Sequence, residues 1–156
     1  MAFTKLSDTL NAAEGTAYIT IDGTVRPLFE LSSLKAQLEY TVTAKRMLGS
    51  RMTQHKVVGV EGSGSLTMYF ANSQLLHQAL AYLGGKGYTG ITLKVKNEDV
   101  QSTVGAQEVV LYNCILNTVP IAALDDSSDD PLTFDTDFTF DGIESLSSFA
   151  LPENFR

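Results

Sequence analysis

A mainly β protein, with two antiparallel sheets forming a sandwich or partly open barrel, one packed α-helix and a long projecting hairpin loop, is predicted by three observations. Apolar and polar residues alternate through most of the chain, one segment carries a helical stripe, and Asp22-Gly23 marks a tight hairpin. At 156 residues the chain can bury a core of its own, and it shows no internal repeat, low-complexity tract or linker. Residues 1–156 therefore read as one domain.

Residues 1–14 read as a mobile lead-in. Gly15 opens a strand in which Ala17, Ile19 and Ile21 alternate with Tyr18 and Thr20, and Asp22-Gly23 supplies the two positive-φ positions of a hairpin turn. The returning strand runs from Thr24 to about Leu31, where Pro27 requires an edge or a bulge. From Leu34 the apolar Leu34, Ala36, Leu38, Tyr40, Val42 and Ala44 alternate with Lys35, Gln37, Glu39, Thr41, Thr43 and Lys45. Period two held this long means one antiparallel strand with a dry face and a wet face, about 40 Å long at about 3.3 Å per residue. Its far end is expected to project past the core.

The next stretch, Arg46 to Lys56, carries Arg46, Arg51, His55, Lys56 and the methionines Met47 and Met52 without a strong period, and reads as a loop. Gly59, Gly62 and Gly64 punctuate the return into Ser65–Phe70. One helix follows: Asn72 or Ser73 caps it, Leu75, Leu76, Ala79, Leu80 and Leu83 form its stripe, and Gly84-Gly85 ends it. His77 falls on the flank of that stripe, with no second ligand-type residue three or four positions on, and reads as a solvated helix residue.

The remainder returns to strands. Ile91, Leu93 and Val95 alternate with Thr92, Lys94 and Lys96, and Gln107–Leu116 is a buried run. Then Leu132, Phe134, Thr136, Phe138 and Phe140 alternate with Thr133, Asp135, Asp137, Thr139 and Asp141, which puts aromatic groups on one face and carboxylates on the other. Residues 142–156 have weak periodicity and read as a C-terminal tail.

A hydrophobic content of 44% and a charged content of 19% are those of an ordinary folded domain, and no apolar run is long enough to cross a bilayer. Met1–Lys5 has no hydrophobic signal core, so an intracellular protein is expected. Net charge of −7 argues against sequestering nucleic acid. The charges are segregated: Lys35, Lys45, Arg46, Arg51 and Lys56 lie early, while Asp125, Asp126, Asp129, Asp130, Asp135, Asp137, Asp141 and Glu144 crowd a late segment. Opposite zones on one small domain suit head-to-tail contact between copies.

The chain carries no motif that points to chemistry. Cys114, the only cysteine, sits in a strand-like context as an apolar filler. Asp125 as the first residue of a calcium loop would put Asp130 where glycine is needed and Thr136 where a bidentate Glu is needed, so the segment reads as a solvated acidic turn. Gly84, Gly85, Gly87 and Gly90 around Lys86 follow a helix and lack phosphate-loop spacing. A serine triad would have to use His55 or His77, and no G-x-S-x-G elbow is present. Arg51, His55 and Lys56 would suit an anion, against which stands a plain solvated hairpin tip. Neither catalytic, metal nor cofactor residues are expected.

One motif is specific. Gly-Ser-Arg-Met-Thr-Gln-His-Lys from Gly49, then Gly59, then Gly-Ser-Gly-Ser-Leu-Thr-Met-Tyr ending at Tyr69, is similar to the central motif of tail tube proteins from contractile-tailed, myovirus-like phages and defective prophages. The resemblance implies homo-hexameric rings stacked into an inner tube for genome passage within a contractile sheath. Tape-measure, sheath and baseplate proteins would be partners, in a virion tail assembled in the bacterial cytoplasm. It further implies that residues 45–60 form a flexible assembly loop, with Lys45, Arg46, Met47, Arg51, Met52, His55 and Lys56 as contacts to a neighbouring subunit or ring. Asp135, Asp137 and Asp141 become candidates for an acidic lumen along which DNA slides without specific binding. The alternatives are the tube of a contractile bacteriocin or injection device, and a β-sandwich that binds a carbohydrate or small ligand. The last is disfavoured by the absence of tryptophan.

Overall fold

The computed structural model describes residues 3–11, 13–127 and 129–156. Met1, Ala2 and Ala12 of the expected lead-in and Ser128 of the acidic turn lie outside them. The described residues form eight strands, one α-helix and two single 3-10 turns (Leu6–Asp8 and Glu153–Phe155): β1 (Gly15–Ile21), β2 (Thr24–Pro27), β3 (Leu31–Arg46), β4 (Thr53–Tyr69), α1 (Gln74–Leu83), β5 (Ile91–Glu98), β6 (Ala106–Leu116), β7 (Thr133–Phe140) and β8 (Gly142–Ser147). Every pairing is antiparallel, in the order β2-β1-β5-β6-β7-β4-β3, with β8 also on β6.

The two expected sheets are thus two parts of one continuous sheet folded on itself, and β6 is the strand they share. Its first part, Glu108–Tyr112, pairs with β8, while Ile115 and Leu116 pair with β7. Between them Asn113 takes a left-handed backbone, φ 54°. Its Nδ2 donates to Asp141 Oδ2 at 2.7 Å, and Asp141 N donates to Tyr112 O at 3.3 Å. A bulge with one residue in this conformation bends a strand sharply, and asparagine tolerates it better than most side chains. Because β7 runs into β8 through Asp141, two neighbouring strands turn the corner together.

Both parts contribute to one core: Ala17, Ile19 and Ile21 from β1, Ile91 and Leu93 from β5, Leu111 and Cys114 from β6, Leu66 and Met68 from β4, Phe138 and Phe140 from β7. The aromatic face predicted for the Leu132–Phe140 stretch is inside and its carboxylates are outside. The Asp22-Gly23 turn forms with φ values of 51° and 81°, and β2 is an edge strand, as Pro27 requires. That strand ends at Pro27 and does not continue to Leu31: Leu31 N donates to Leu28 O across a turn, and Leu31 already begins β3.

Ser73 is the N-cap residue and makes no side-chain cap bond; the residue before it, Asn72, serves instead, its Oδ1 accepting from Gln74 N at 2.7 Å. Leu75 enters the core and Leu76 and Ala79 are half-buried, but Leu80 and Leu83 are exposed, so the last part of the predicted stripe is uncovered. Arg26 fixes that turn. Its guanidinium donates to both carboxylate oxygens of Glu30 at 2.9 and 3.1 Å, and its Nε to Gln74 Oε1 at 2.8 Å. Glu30 is buried, so this bidentate pair is shielded from water and tethers α1 to the β2 edge.

The N-terminal segment is pinned down. Asp8 accepts from Thr103 N and Oγ1 at 3.2 and 2.7 Å, and Asn11 N donates to Asp99 Oδ2 at 3.1 Å. The C-terminal residues reach the same loop: Glu153 N donates to Thr103 Oγ1 at 2.9 Å and Ala150 N to Val104 O at 2.9 Å. Residues 142–147, within the C-terminal tail of weak periodicity, form β8 against β6.

Candidate assembly interface

β3 and β4 run beside each other from Leu31↔Met68 to Arg46↔Thr53, but β7 accompanies β4 only from Gly62 to Tyr69. Beyond Gly62 the pair is a bare two-stranded arm. From Glu39↔Glu61 to Arg46↔Thr53 it covers eight residues of β3, about 25 Å at about 3.3 Å per residue. Its turn, Met47–Met52, is closed by Ser50 N donating to Met47 O at 3.1 Å, with Gly49 at φ 86°. The loop expected over 46–56 is therefore confined to six residues, and Thr53–Lys56 is strand. Period failed there because a bulge opposite Thr41–Val42, with Val58 unpaired, shifts the face by one residue.

The apolar face of β3, expected dry, packs on the core at Leu31 and Leu34 but is wet along the arm in the single chain. Tyr40 and its partner Val60 are 63% and 57% exposed, and Val42, Val57, Met52 and Leu48 are exposed with them. β3 is also an edge strand, so one side of its sixteen-residue backbone has no strand beside it among the described residues. Soluble proteins keep such edges short or covered.

Where β4 rejoins β7 the contact is close. Gly62 faces Phe140 and Gly64 faces Phe138. A Cβ on Gly64 would stand 2.5 Å from Phe138 Cζ and 2.5 Å from the Lys35 carbonyl oxygen, and one on Gly62 would stand 2.5 Å from Phe140 Cε2. The glycines let two core rings lie across the strand at the root of the arm, which anchors it.

The structure divides the predicted contact residues between faces. Lys45 and Lys56 lie on the polar face; His55 and Arg46 lie on the apolar one, opposite Ala44 and Thr53; Met47, Arg51 and Met52 belong to the turn. His55 and Lys56 thus point to opposite sides and do not close on a common anion with Arg51. Asp135 and Asp137 are exposed on the polar face of β7, where Thr67 Oγ1 donates to Asp135 Oδ1 at 2.6 Å. Asp141 instead lies at the corner, bonded to Asn113.

Sequence reading missed two acids on that face. Glu39 and Glu61 stand directly opposite each other at the arm's root, both exposed. Like charges in that position repel. The signal was present in the β3 alternation, but the register that brings Glu61 opposite was hidden by the glycines. Among the described residues no group of three or more His, Cys, Asp or Glu is placed to hold a metal ion. The Cys114 thiol, pushed up to about 11 chiefly by burial, is far from nucleophilic.

The sheet β7-β4-β3 has chemically distinct ends. At one is the turn with Arg46, Arg51, Met47, Leu48 and Met52. At the other, Tyr69 pairs with Thr133 and Phe70 N donates to Leu132 O at 2.8 Å, so the acidic segment before Leu132 leaves from that end.

Residues 2–147 match the family model described as phage tail tube protein. The chain belongs to that family. Among curated relatives, this tail tube family member is similar to YqbM of Bacillus subtilis (strain 168), 28% identical over 97% of this chain and 96% of the relative. It is also similar to the phage-like element PBSX protein XkdM of the same organism, 27% identical over 90% and 92%. Its fold is similar to a chain in the extended sheath-tube complex of the extracellular contractile injection system PVC, TM-score 0.64 at 9% identity, covering 91% of this chain and 94% of that one. A chain of the anti-feeding prophage baseplate gives TM-score 0.61 at 17% identity, covering 94% and 97%. The protein is a structural component of a tail tube.

Proposed function

We propose that this tail tube protein forms homo-hexameric rings that stack into the inner tube of a contractile tail, within a sheath and on a baseplate, and that it does so without catalysing a reaction. The observation that carries this reading is the sixteen-residue edge strand β3, whose apolar face stays wet along the arm. An edge of that length and exposure is a liability in a monomer and an asset in a polymer, where a neighbouring copy covers it. The arm, residues 39–61, docks on an adjacent subunit or ring through Tyr40, Val42, Val57 and Val60.

The polar face carries the second half of the proposal. Glu39, Glu61, Asp135 and Asp137 share it with Lys35, Lys45 and Lys56; the lysines offset the glutamates along the arm, and the exposed Asp135 and Asp137 on β7 leave the body of the face negative, a wall that repels phosphate so that DNA passes without adhering. Asp141, tied into the corner, contributes less. The tape-measure protein occupies the same channel before the genome, and the particle assembles in the bacterial cytoplasm.

Negative-stain electron microscopy of the purified protein at high concentration tests this. Six-fold rings or hollow tubes are expected, and a chain with residues 46–58 replaced by a short Gly-Ser turn should give none. Uniform monomers at every concentration, or normal tubes from the shortened variant, would overturn the reading. A contractile injection device would use the same tube. A ligand-binding sandwich is less favoured: Tyr40 stands on the arm, Tyr82 packs edge-on to Tyr88 beside the helix, and the groove that Tyr18 and Phe29 share has no tryptophan to stack on a sugar.

A further inference from the structure

We infer that the tip of the arm seats on the Ile121–Asp126 segment of a second copy. The inference rests on the stacked-tube reading and names the surface that receives the arm.

The two surfaces match in kind and opposite sign. At the tip, Leu48 is fully exposed and Met52 is 80% exposed, flanked by Arg46 and Arg51. In the segment between β6 and β7, Leu124 is 99% exposed and Ile121 70% exposed, followed directly by Asp125 and Asp126. Each is a small apolar patch beside a charged pair, and no other charge sign is interposed between Arg46 and Arg51 or between Leu124 and Asp126. The apolar groups supply contact area and the charges fix which surfaces meet.

The fold prevents the two from meeting within one chain. β4 carries the tip at Thr53 and reaches the acidic segment's end of the sheet at Tyr69, seventeen residues and about 55 Å away at about 3.3 Å per residue. β3 and β4 are hydrogen-bonded along that whole length, so the tip does not fold back. Complementary patches at opposite ends of a stiff element make a heterologous contact, which propagates from copy to copy instead of closing in a two-fold pair. Among the described residues, the Asp125 carboxylate accepts from Ser127 N and Oγ at 3.0 and 2.6 Å, within its own turn, and is held below its usual value by those bonds.

Disulfide trapping tests the contact, because Cys114 is fully buried and leaves introduced thiols alone. A chain carrying both Leu48→Cys and Leu124→Cys, assembled and then mildly oxidised, should give a ladder of linked chains on a non-reducing gel. A mixture of the two single variants should stop at dimers. As a second readout, Arg46→Glu with Arg51→Glu should raise the concentration needed for assembly by about tenfold or more, and adding Asp125→Lys with Asp126→Lys should bring it back. Tubes visible by electron microscopy with no ladder and no rescue would overturn this contact while the tube reading stands. Failure of the unmodified protein to form tubes at all would remove both.

Discussion

Gly64 and Phe138 face each other across the β4–β7 ladder, and the phenyl ring occupies the space that a Gly64 side chain would need. The Lys35 carbonyl closes the same space from β3. One glycine therefore lets three strands and a core aromatic come together where the arm leaves the body.

Gly64→Ala should destabilise the fold by about 2 kcal/mol or more, because backbone of β3 blocks the new methyl group and cannot swing away. Gly62→Ala should cost less, since only the Phe140 ring must move. Urea denaturation of both variants, with unchanged slope, would check the order.

At the corner of the sheet, Asn113→Val should cost about 2–3 kcal/mol, because a β-branched residue is strained at φ 54°. Asn113→Gly keeps the conformation and loses only the hydrogen bond to Asp141, about 1 kcal/mol. Thermal melts should rank native above glycine above valine.

Hydrogen bonds from Thr103 hold the Asp8 carboxyl below its ordinary value. A depressed carboxyl contributes stability above the pH at which the unfolded group ionises, and loses it as pH falls through the lower folded value. Protection of the Thr103 amide in hydrogen exchange should therefore persist at neutral pH and fall on acidification below about 4, the range of an ordinary aspartate. In Asp8→Asn that acid limb should flatten.

Cys114 is fully buried, with its thiol pushed up to about 11. A thiol reagent at pH 8 should leave the folded protein unmodified for hours and react at once when urea is added. Rapid labelling of the native protein would mean that the core opens far more often than its packing implies.

Tyr40→Ser with Val60→Ser should change the stability of the single chain by less than about 1 kcal/mol, since both side chains are more than half exposed. Tube formation should nevertheless be lost. Melting curves and electron microscopy on the same sample separate the two effects.

Local signals were legible in the sequence, and long-range ones were not. Asp22-Gly23, the alternation from Leu34 and the Asn72-to-Gly84 helix each announce themselves within a few residues, and each is present. The union of two sheets through β6 depends on a single residue, Asn113, whose left-handed backbone leaves no pattern in a run of strand formers. β8 was hidden because Gly142–Ser147 alternates weakly and acquires its register from β6. For the interface, alternation revealed the apolar face of β3 but not that it would be left uncovered. That depends on β7 stopping at Phe140, opposite Gly62. The lead-in and the C-terminal residues meet on Thr103 through side-chain hydrogen bonds to single loop positions, which no periodicity records.

The shared position of β6 also sets an order of events during synthesis. The β3–β4 hairpin closes between neighbouring stretches of chain, whereas β7, which covers its glycine-lined root, is made more than sixty residues after Tyr69. Sequence-near pairings form ahead of distant ones, and a two-stranded ribbon alone is only marginally stable, so the β3–β4 pair gains its support when Phe138 and Phe140 arrive. The lysines and glutamates along its polar face, with the Glu39–Glu61 pair at its root, are side chains of the kind that disfavour edge-to-edge pairing. The side chains that keep this face in water on the folded chain are thus already in place on the bare ribbon, before any core exists to hold it.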